Sequence, residues 1–314
     1  MNRAKSLLLI GVSAVLLPWS PARAEPPQLG FREAGEGMFE FDTGLLRGRL
    51  KLDGTYQGLY PLVHGPSGAE LVHAPGVFSF YRVLATNRRH GKNARDWPTQ
   101  SELLADGAVE VRFAPADEHP LEIVGVHRFA APGTLDLEIE VAPRCDMPRF
   151  ELFLSSYFGP GFLASVWVDD SGGGRFVPID RPPDARSAYV MYPRDDEAVA
   201  MIRDGRWQYP PNPVDWAVGR RLRAPLVIRR DTALGLSAVM MCPPGDCFAV
   251  ASPWNPASPD AKGYRSVYLS LFGRDLRAGE KAHARCRLLL AEDLSDEQAV
   301  ELYRDYLAQR KQSP

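Results

Sequence analysis

Short runs in which apolar and polar residues alternate constrain the fold of this chain more than any other feature. The clearest run, LDLEIEV at 135–141, has an apolar side chain at every second position. Such alternation gives a strand one buried and one solvated face, which is typical of antiparallel sheets. Comparable runs, separated by Gly, Pro and Asp, indicate strands at 45–52, 78–84, 109–113, 123–129, 150–155, 164–168, 198–202, 226–230, 234–241, 248–251, 267–272 and 283–290.

One segment near the C-terminus has a helical pattern instead. Ser295 and Gln298 have the spacing of a capping box, and the two acidic residues between them suit a helix N-terminus. Apolar residues then recur at helical spacing, at 299, 302, 303, 306 and 307. The sequence therefore predicts an amphipathic helix over 295–310 that packs on the β-sheets.

The many strands and the single helix together predict the fold class. We expect a mainly β protein, a large antiparallel β-sandwich with one C-terminal helix. No linker interrupts the succession of strands, so we predict a single domain over 39–314. Residues 25–38 precede the first clear strand, and we predict a flexible N-terminal arm there.

The first residues predict export. Arg3 and Lys5 precede an apolar run, and Ala22 and Ala24 mark a small-residue cleavage site, so residues 1–24 have the pattern of a secretory signal peptide. The mature protein is then expected to be secreted or periplasmic. No later run approaches the roughly 20 apolar residues of a membrane-spanning helix, so no integral membrane segment is expected after cleavage.

The charge balance argues against one class of partner. The full chain has a formal net charge of −2, and cleavage removes Arg3, Lys5 and Arg23. An acidic mature chain binds the phosphate backbone poorly, because affinity for nucleic acids depends largely on Lys and Arg. No nucleic-acid partner is expected.

Four cysteines, Cys145, Cys242, Cys247 and Cys286, become relevant if the protein is exported to an oxidising compartment. Cys242 and Cys247 flank the turn sequence PPGD and would close a small loop, which leaves Cys145 and Cys286 for a long-range bridge. Buried free thiols are the alternative. The sequence has no C-x-x-C spacing and predicts neither a metal site nor a cofactor.

Positive charge is concentrated in the segment 81–97, YRVLATNRRHGKNARDW, which has four arginines, one lysine and one histidine against one carboxylate. If 78–84 is a strand, then 86–96 is the loop that leaves it. Guanidinium groups bind carboxylates in a bidentate manner and also donate to sugar hydroxyls. The segment therefore suits an acidic saccharide such as a uronate or a sulfated glycan, bound by Arg82, Arg88, Arg89, Arg95 and His90, with Lys92, Asn93 and Trp97 adding hydrogen bonds and stacking. A solvated loop with local ion pairs is the alternative.

Aromatic residues in proline-rich loops are a second candidate for ligand contact. Trp207 lies in GRWQYPPNPVDW, and Trp254 and Tyr264 lie in SPWNPASPDAKGYR. Aromatic rings held by stiff loops stack well on the apolar face of a pyranose. The alternative is that these rings close the ends of the sandwich.

Three stretches resemble the galactose-mutarotase-like fold, the β-supersandwich of aldose epimerases and of β domains in polysaccharide-active enzymes. They are GLLRGRLKLDGTYQGL at 44–59 followed by PSGAEL at 66–71, then TNR at 86–88, and LRAGE at 276–280 followed by the strand 283–290. The resemblance implies a concave sugar-binding face. It also implies that Asn87 and Arg88 correspond to the Asn-Arg pair that aldose epimerases place on their sugar.

The sequence departs from that family at the catalytic positions. Ser155 stands where an aldose epimerase has its general acid histidine, and no carboxylate precedes the Pro-Asp-Ala segment at 259–261, where the family has its glutamate base. Sugar ring opening needs both proton transfers. The resemblance therefore implies sugar binding more than mutarotase activity.

These observations lead to a functional expectation with two alternatives. We expect an exported protein that binds a carbohydrate or processes an acidic saccharide by lyase, epimerase or hydrolase chemistry. The catalytic candidates are His127, which shares a strand face with Ile123 and Gly125, Tyr157 as a proton donor, and His90. A noncatalytic glycan-binding protein and a structural envelope protein are the alternatives.

Overall fold

The computed structural model describes residues 28–183, 185–258, 261, 263 and 265–312. The signal peptide predicted for 1–24 lies outside these residues and stays a prediction. Within the described residues, no helix is long and apolar enough to cross a membrane.

The described chain is mainly β, as predicted. Its helices are α1 (Asp196–Ile202) and α2 (Asp296–Gln312). Its strands are β1 (Gln28–Gly35), β2 (Met38–Asp42), β3 (Leu46–Lys51), β4 (Gly58–His64), β5 (Ser79–Ala85), β6 (Arg88–His90), β7 (Gln100–Leu103), β8 (Val109–Phe113), β9 (Leu121–Ala131), β10 (Thr134–Pro143), β11 (Met147–Phe158), β12 (Leu163–Asp170), β13 (Gly173–Pro178), β14 (Tyr189–Pro193), β15 (Ala217–Val218), β16 (Leu222–Asp231), β17 (Leu236–Met241), β18 (Cys247–Pro253), β19 (Arg265–Leu276) and β20 (Ala282–Glu292).

The strands form two large sheets and one small sheet. The nine-stranded sheet has the order β13-β12-β16-β17-β20-β10-β9-β8-β7, and the seven-stranded sheet has the order β15-β14-β18-β19-β11-β5-β6. Strands β1 to β4 form the small sheet in sequence order. The pairs are antiparallel except for the short β14–β15 pair, so the predicted antiparallel β-sandwich is confirmed.

The two large sheets enclose the main core between their inner faces. Strand β9 shows how the sequence specifies this, because buried and half-buried residues alternate along it. Phe80 of β5 and Phe113 of β8 join the two sheets, with ring centroids 5.1 Å apart. The small sheet reaches the same core through Phe41, whose ring centroid lies 4.9 Å from that of Phe129.

The outer faces of the two large sheets are covered differently. Helix α2 packs on part of the nine-stranded sheet through Ala299, Tyr303 and Tyr306. A separate apolar cluster lies on the outer face of the seven-stranded sheet, where α1 and the segment 203–216 cover it. This second face carries a cavity of about 610 Å³.

The C-terminal helix confirms its prediction in detail. The Ser295 amide donates to Gln298 Oε1 at 2.9 Å, and the Gln298 amide donates to Ser295 Oγ at 3.2 Å. These two bonds are the reciprocal pair of a capping box and fix the start of the helix.

The strand predicted at 198–202 is wrong, because these residues belong to α1. Asp195 caps this helix, and its Oδ1 accepts a hydrogen bond from the Ala198 amide at 2.8 Å. The following acidic residues, Asp196 and Glu197, suit the positive end of the helix dipole. A cap that lies outside the apolar run therefore decides the conformation.

The flexible arm predicted for 25–38 is wrong from residue 28 onward. Strand β1 pairs with β2 from Gln28 to Gly35. Phe31 is buried, with its ring centroid 5.0 Å from that of Phe129. Burial of this ring against a remote strand orders a segment whose local sequence is mostly polar.

The predicted disulfides are absent, because no disulfide joins Cys145, Cys242, Cys247 or Cys286. Cys145 is half-buried and the other three are buried. The Cys247 thiol lies 3.2 Å from the carbonyl oxygen of Ala249, and burial raises the pKa of the Cys242 thiol. These cysteines pack as small apolar residues, which was the alternative.

The loop predicted for 86–96 is partly structured. Strand β6 pairs back on β5, with His90 opposite Val83 and Arg88 opposite Ala85. A 3₁₀ turn at Ala94–Asp96 follows. The basic segment is thus a hairpin and a turn at the edge of the seven-stranded sheet.

Candidate functional site

A cavity of about 610 Å³ lies on the outer face of the seven-stranded sheet. We term it the aromatic cavity, since eight of its seventeen lining residues are aromatic. Its floor is formed by Tyr81, Arg82, Phe153, Tyr157, Tyr189 and Tyr268, which lie on β5, β11, β14 and β19. Its walls are formed by Tyr56, Pro75, Asn93, Arg95, Ser187, Trp207, Asn212, Pro213, Val214, Asp215 and Trp216.

A β-bulge brings two neighbouring side chains of β5 to the cavity. Phe153 of β11 pairs with Arg82, but Leu154 pairs with Phe80, so Tyr81 is an extra residue in the ladder. In a regular strand, the side chains of Tyr81 and Arg82 would point to opposite faces of the sheet. The bulge removes this constraint, and both side chains line the cavity.

Arg82 is a buried cation that has only neutral partners. Its side chain is 1% exposed, and its Nη2 donates to the carbonyl oxygen of Asn212 at 2.6 Å and to the Tyr81 hydroxyl at 3.4 Å. The guanidinium carbon lies 5.0 Å from the ring centroid of Tyr81 and 5.1 Å from that of Trp207. Within the described residues, no carboxylate forms an ion pair with Arg82.

Arg95 is a second buried cation of the same kind. Its Nη1 donates to the Tyr157 hydroxyl at 3.2 Å, and its guanidinium carbon lies 4.6 Å from the Tyr81 ring centroid. Burial disfavours its charge, but the hydroxyls of Tyr157 and Tyr81 outweigh this effect and raise the pKa of Arg95. Arg95 therefore stays positive while it lines the cavity without a salt bridge to any described carboxylate.

A third arginine adds positive potential from behind the cavity wall. Arg89 donates to the carbonyl oxygen of Pro211 at 2.8 Å and to Asn93 Oδ1 at 3.0 Å. Burial, followed by repulsion from Arg82, lowers the pKa of Arg89 to about 10, so it is still charged at neutral pH. The carboxylate that lines the cavity, Asp215, is exposed at its rim.

Buried hydrogen-bond donors without acceptors are the most unusual feature of the cavity. Five such atoms belong to its lining residues: Arg82 Nε and Nη1, Arg95 Nε, Trp207 Nε1 and Trp216 Nε1. Buried polar atoms in folded proteins nearly always have a partner, so each exception calls for a water or a ligand. The cavity is therefore suited to a ligand rich in oxygen acceptors.

Tyr56 forms part of the mouth of the cavity. Its side chain is 58% exposed, and its ring centroid lies 5.3 Å from the Arg95 guanidinium carbon. Its backbone φ of 58° is in the left-handed region, which is costly for a residue with a β-carbon. In this backbone conformation, the Tyr56 amide donates a hydrogen bond to Asp96 Oδ1 at 2.9 Å. An exposed ring on a strained backbone is a typical feature of a binding site.

A buried ion-pair network fixes the wall that contains Trp207. Arg206 Nη1 donates to Glu151 Oε2 at 3.0 Å, and its Nη2 donates to Asp204 Oδ2 at 2.8 Å. The side chains of Arg206 and Glu151 are fully buried. Arg206, unlike Arg82, is thus neutralised by two carboxylates, and its role is structural.

Two tyrosines in the cavity have pKa values displaced in opposite directions. Burial favours the neutral form of Tyr81, but the charges of Arg82, Arg95 and Arg89 together with the Arg82 hydrogen bond lower its pKa. Burial dominates at Tyr157 and raises the pKa there, although Arg95 opposes it. Opposite shifts in neighbouring groups are a common basis for an acid and base pair.

The structure places five of the predicted site residues at the cavity: Arg82, Asn93, Arg95, Tyr157 and Trp207. Their roles stay predictions, but their proximity supports the expectation that charge and aromatic rings would converge. Tyr264 lies outside the described residues.

Other predicted residues lie away from the cavity lining. Asn87 lies in the turn before β6, and Arg88 is the exposed first residue of that strand. Trp97 is a core residue stacked on His119, with ring centroids 3.6 Å apart. Trp254 supports the loop behind the wall, since its Nε1 donates to the carbonyl oxygen of Ser187 at 2.8 Å.

The two histidine candidates are also buried away from the cavity. His127 shares the inner face of β9 with Ile123 and Gly125, as predicted, but this face points into the core rather than into a cleft. Burial lowers the pKa of His127 to about 3. Burial, followed by the charges of Arg88 and His119, lowers the pKa of His90 to about 4. Neither ring reaches the site that the arginines form.

Sequence reasoning missed Tyr56, Tyr81, Tyr189 and Tyr268 as site residues. Tyr81 is next to Arg82 in the basic segment. Strand alternation alone would place the two side chains on opposite faces of the sheet, and only the bulge brings Tyr81 to the cavity. Tyr268 comes from β19, and its position beside β11 depends on the order of strands in the sheet. No local sequence pattern marks it. No cluster of three or more His, Cys, Asp or Glu side chains suited to a metal occurs in the described part of the chain.

Comparison with known proteins gives matches to solved structures only. No family model matches the sequence, and no curated protein matches it. A galactose mutarotase-like protein from Clostridium acetobutylicum is 11% identical, with a TM-score of 0.47, over 84% of this chain and 99% of its own. An aldose epimerase homologue from C. elegans is 10% identical, with a TM-score of 0.48, over 82% and 99% of the two chains.

A third match is to one part of a larger enzyme. The ligand-free α-N-acetylgalactosaminidase from Bifidobacterium bifidum is 14% identical, with a TM-score of 0.49, over 87% of this chain and 38% of its own. At these identities, the likeness concerns the fold alone. In fold, the chain is similar to galactose mutarotase-like and aldose epimerase-like proteins, as its sequence resemblance implied.

Proposed function

We propose that the aromatic cavity binds an anionic carbohydrate, of the uronate or sulfated class. The observation that carries the proposal is the set of five buried donor atoms without acceptors, three of which belong to Arg82 and Arg95. A carboxylate or sulfate offers several acceptor oxygens and compensates the guanidinium charge at the same time. A neutral ligand would leave two buried cations uncompensated.

The aromatic rings support a carbohydrate rather than a simple inorganic anion. Floor and mouth present rings of Tyr81, Tyr268 and Tyr56, which can cover the apolar face of a pyranose. The volume of about 610 Å³ lies within the roughly 300–1,000 Å³ of small-molecule pockets. Rings for the apolar face and donors for the polar rim together match an acidic sugar.

The proposed setting is outside the cytoplasm, as the segment 1–24 predicts. N-terminal sequencing of the protein recovered from culture medium or periplasm tests this, and a mature chain that starts near residue 25 is expected. An uncleaved chain retained in the cytoplasm would contradict the setting but not the binding proposal.

Binding is tested by calorimetry with acidic oligosaccharides, namely oligogalacturonate, oligoalginate and chondroitin sulfate fragments, against a neutral cello-oligosaccharide. Arg95→Gln is expected to weaken binding of the acidic ligand about 10- to 100-fold, because a charge-assisted hydrogen bond contributes about 1.5–3 kcal/mol. Arg82→Gln is expected to act in the same direction.

Arg88→Gln is the matched control, since Arg88 belongs to the same basic segment but is exposed and does not line the cavity. Its affinity is expected to equal that of the wild type. Equal affinity of Arg95→Gln and Arg88→Gln, or equal binding of neutral and acidic sugars, would refute the proposal. Thermal unfolding of each variant separates lost binding from lost folding.

Tyr56 provides a second, smaller prediction. Tyr56→Gly is expected to weaken binding of the acidic ligand about five- to tenfold, since an aromatic contact contributes about 1 kcal/mol. Its unfolding free energy is expected to stay within about 1 kcal/mol of the wild type, because glycine relieves the left-handed strain. Tyr209→Ala is the control, because Tyr209 is an exposed tyrosine of the segment 203–216 that does not line the cavity. A Tyr56→Gly variant that binds as tightly as this control would exclude Tyr56 from the site.

A further inference from the structure

We propose that Tyr81 and Tyr157 act as the base and the acid of a β-elimination that cleaves a uronate chain, while Arg82 neutralises the uronate carboxylate. The inference rests on the proposed function, because it assigns chemistry to the anionic sugar in the aromatic cavity. It is carried by the geometry of two phenols on the floor of the cavity, both of which contact the Arg95 guanidinium in its wall.

Tyr81 is placed to act as the base. The bulge in β5 brings its ring to the same face as Arg82, and its hydroxyl lies 3.4 Å from Arg82 Nη2. The Arg95 guanidinium carbon lies 4.6 Å from its ring centroid. Two cations in contact with one phenol stabilise the phenolate, and this agrees with the lowered pKa of Tyr81 despite its burial.

Tyr157 is placed to act as the acid. Its hydroxyl accepts a hydrogen bond from Arg95 Nη1 at 3.2 Å, and the side chain is 4% exposed. Burial raises its pKa, so Tyr157 retains its proton under conditions in which Tyr81 begins to lose one. After the proton has been transferred, Arg95 stabilises the phenolate that remains.

The elimination step balances without an oxidant or a water molecule. Arg82 pairs with the uronate carboxylate, which acidifies the hydrogen on the adjacent ring carbon. The Tyr81 phenolate removes this proton, and the electron pair of the broken C–H bond forms a C=C bond to the neighbouring carbon. The glycosidic C–O bond at that carbon breaks, and the leaving oxygen takes the proton of Tyr157. Solvent then restores the proton to Tyr157 and removes one from Tyr81.

The cavity is less suited to the other reactions of acidic sugars. Hydrolysis of a glycoside commonly uses two carboxylates, whereas Asp215 alone among the described lining residues has one. Neither His90 nor His127 lines the cavity. The groups that can move protons there are therefore phenols, and proton abstraction beside a carboxylate is the reaction that phenols and guanidiniums can perform together.

The test measures cleavage and binding in the same protein. Wild-type protein is mixed with polygalacturonate and with alginate, and the conjugated double bond of the product is followed by its ultraviolet absorbance. Tyr81→Phe and Tyr157→Phe are each expected to slow product formation at least about 100-fold, the usual contribution of a general acid or base. Their affinity for the same polymer is expected to stay within about threefold of the wild type, because both rings remain.

Tyr60→Phe is the control, since Tyr60 is an exposed tyrosine of β4 outside the cavity lining, and full activity is expected. The wild-type rate is expected to rise with pH as Tyr81 ionises, and Tyr81→Phe should lose that rise. A merely structural role for Tyr81 would leave the shape of the pH profile unchanged.

The outcomes separate this inference from the proposed function. Wild-type protein that binds either polymer but yields no unsaturated product overturns the elimination and leaves the binding proposal intact. Protein that neither binds nor cleaves these polymers or the acidic oligosaccharides overturns both. Cleavage at the wild-type rate by Tyr81→Phe or Tyr157→Phe overturns the assignment of the two phenols.

Discussion

Arg206→Met is expected to lower the free energy of unfolding by about 3–5 kcal/mol, the usual cost of removing one partner of a buried ion pair. The side chains of Arg206 and Glu151 are fully buried, with Nη1 and Oε2 3.0 Å apart. Without Arg206, the Glu151 carboxylate has no cation beside it in an apolar surrounding. Urea unfolding at neutral pH measures the difference.

The pH dependence of the free energy of unfolding of Arg206→Met provides an independent test. Burial already raises the pKa of Glu151 in the wild type, and loss of Arg206 raises it further. A carboxyl whose folded pKa exceeds its unfolded value contributes stability below the unfolded pKa and loses it as pH rises through the folded pKa. The deficit of Arg206→Met is therefore expected to grow as pH rises from the folded pKa of Glu151 in the wild type to its higher folded pKa in the variant.

Arg49→Met is the matched control for this prediction. Arg49 pairs with Glu40 at 2.8 Å, a length similar to the buried pair, but both side chains are substantially exposed. An exposed pair contributes about 0–1 kcal/mol, so the control is expected to lose no more than that. Equal losses of unfolding free energy in the two variants would mean that burial does not make the Arg206–Glu151 pair more important for stability than an exposed pair.

The same variant tests how the wall of the cavity is held. Arg206 belongs to the short 3₁₀ turn that also contains Trp207, and Trp207 lies against Arg82. Loss of the Arg206 side chain is expected to weaken the binding of acidic ligands even under conditions in which the variant is still folded. Arg206 thus acts through Trp207 as a positioning residue.

The fold was predictable from sequence where the pattern is local. Alternation along β9 and β10 and the capping box of α2 are each contained in a few consecutive residues, and both predictions are confirmed. The run AVAMI at 198–202 is too short for its periodicity to separate strand from helix. The deciding bond, from the Ala198 amide to Asp195, lies at the edge of that run.

For the cavity, the sequence indicated the kinds of side chain, arginines and aromatic rings, but not how they are positioned. The charge of the basic segment and the rings of the proline-rich loop single out Arg82, Arg95 and Trp207, which line the cavity, while their roles stay predictions. The position of Tyr81 depends on a bulge, and that of Tyr268 depends on the pairing of β19 with β11. Both are long-range features of the sheet, and a single sequence does not specify them locally.

His127 shows the same limit, because alternation identifies the residues that share a face but not whether that face meets core or cleft. In the fold, His127 lies between Val109 of β8 and Leu137 of β10 on the inner face. Neither ring nitrogen has a hydrogen-bond partner among the described residues. A buried imidazole without partners is costly, and its cost should appear in the pH dependence of stability.

His127→Leu is expected to stabilise the protein, and to do so most strongly in mild acid. The pKa of His127 is about 3 in the folded chain, against about 6.5 for an unperturbed histidine. Above about pH 6.5 the His127 imidazole is neutral in both the folded and the unfolded chain. Below this pH the unfolded chain binds a proton at His127, whereas the folded chain does so only near pH 3. Stability therefore falls with decreasing pH across this window by about 1.4 kcal/mol per unit. His90, with a pKa of about 4, contributes in the same direction.

Removing the imidazole removes one of these two contributions. At neutral pH, His127→Leu is expected to gain about 1–3 kcal/mol, because two unpaired buried nitrogens are replaced by apolar atoms of similar volume. Near pH 5 the gain should be about 2 kcal/mol larger, the cost of 1.5 pH units below the unfolded pKa. Urea unfolding at the two pH values measures both terms, with His73→Leu, an exposed histidine, as the control. A variant whose stability falls with acid as steeply as that of the wild type would show that His127 is protonated in the folded protein, and thus that water or a ligand reaches the inner face of β9.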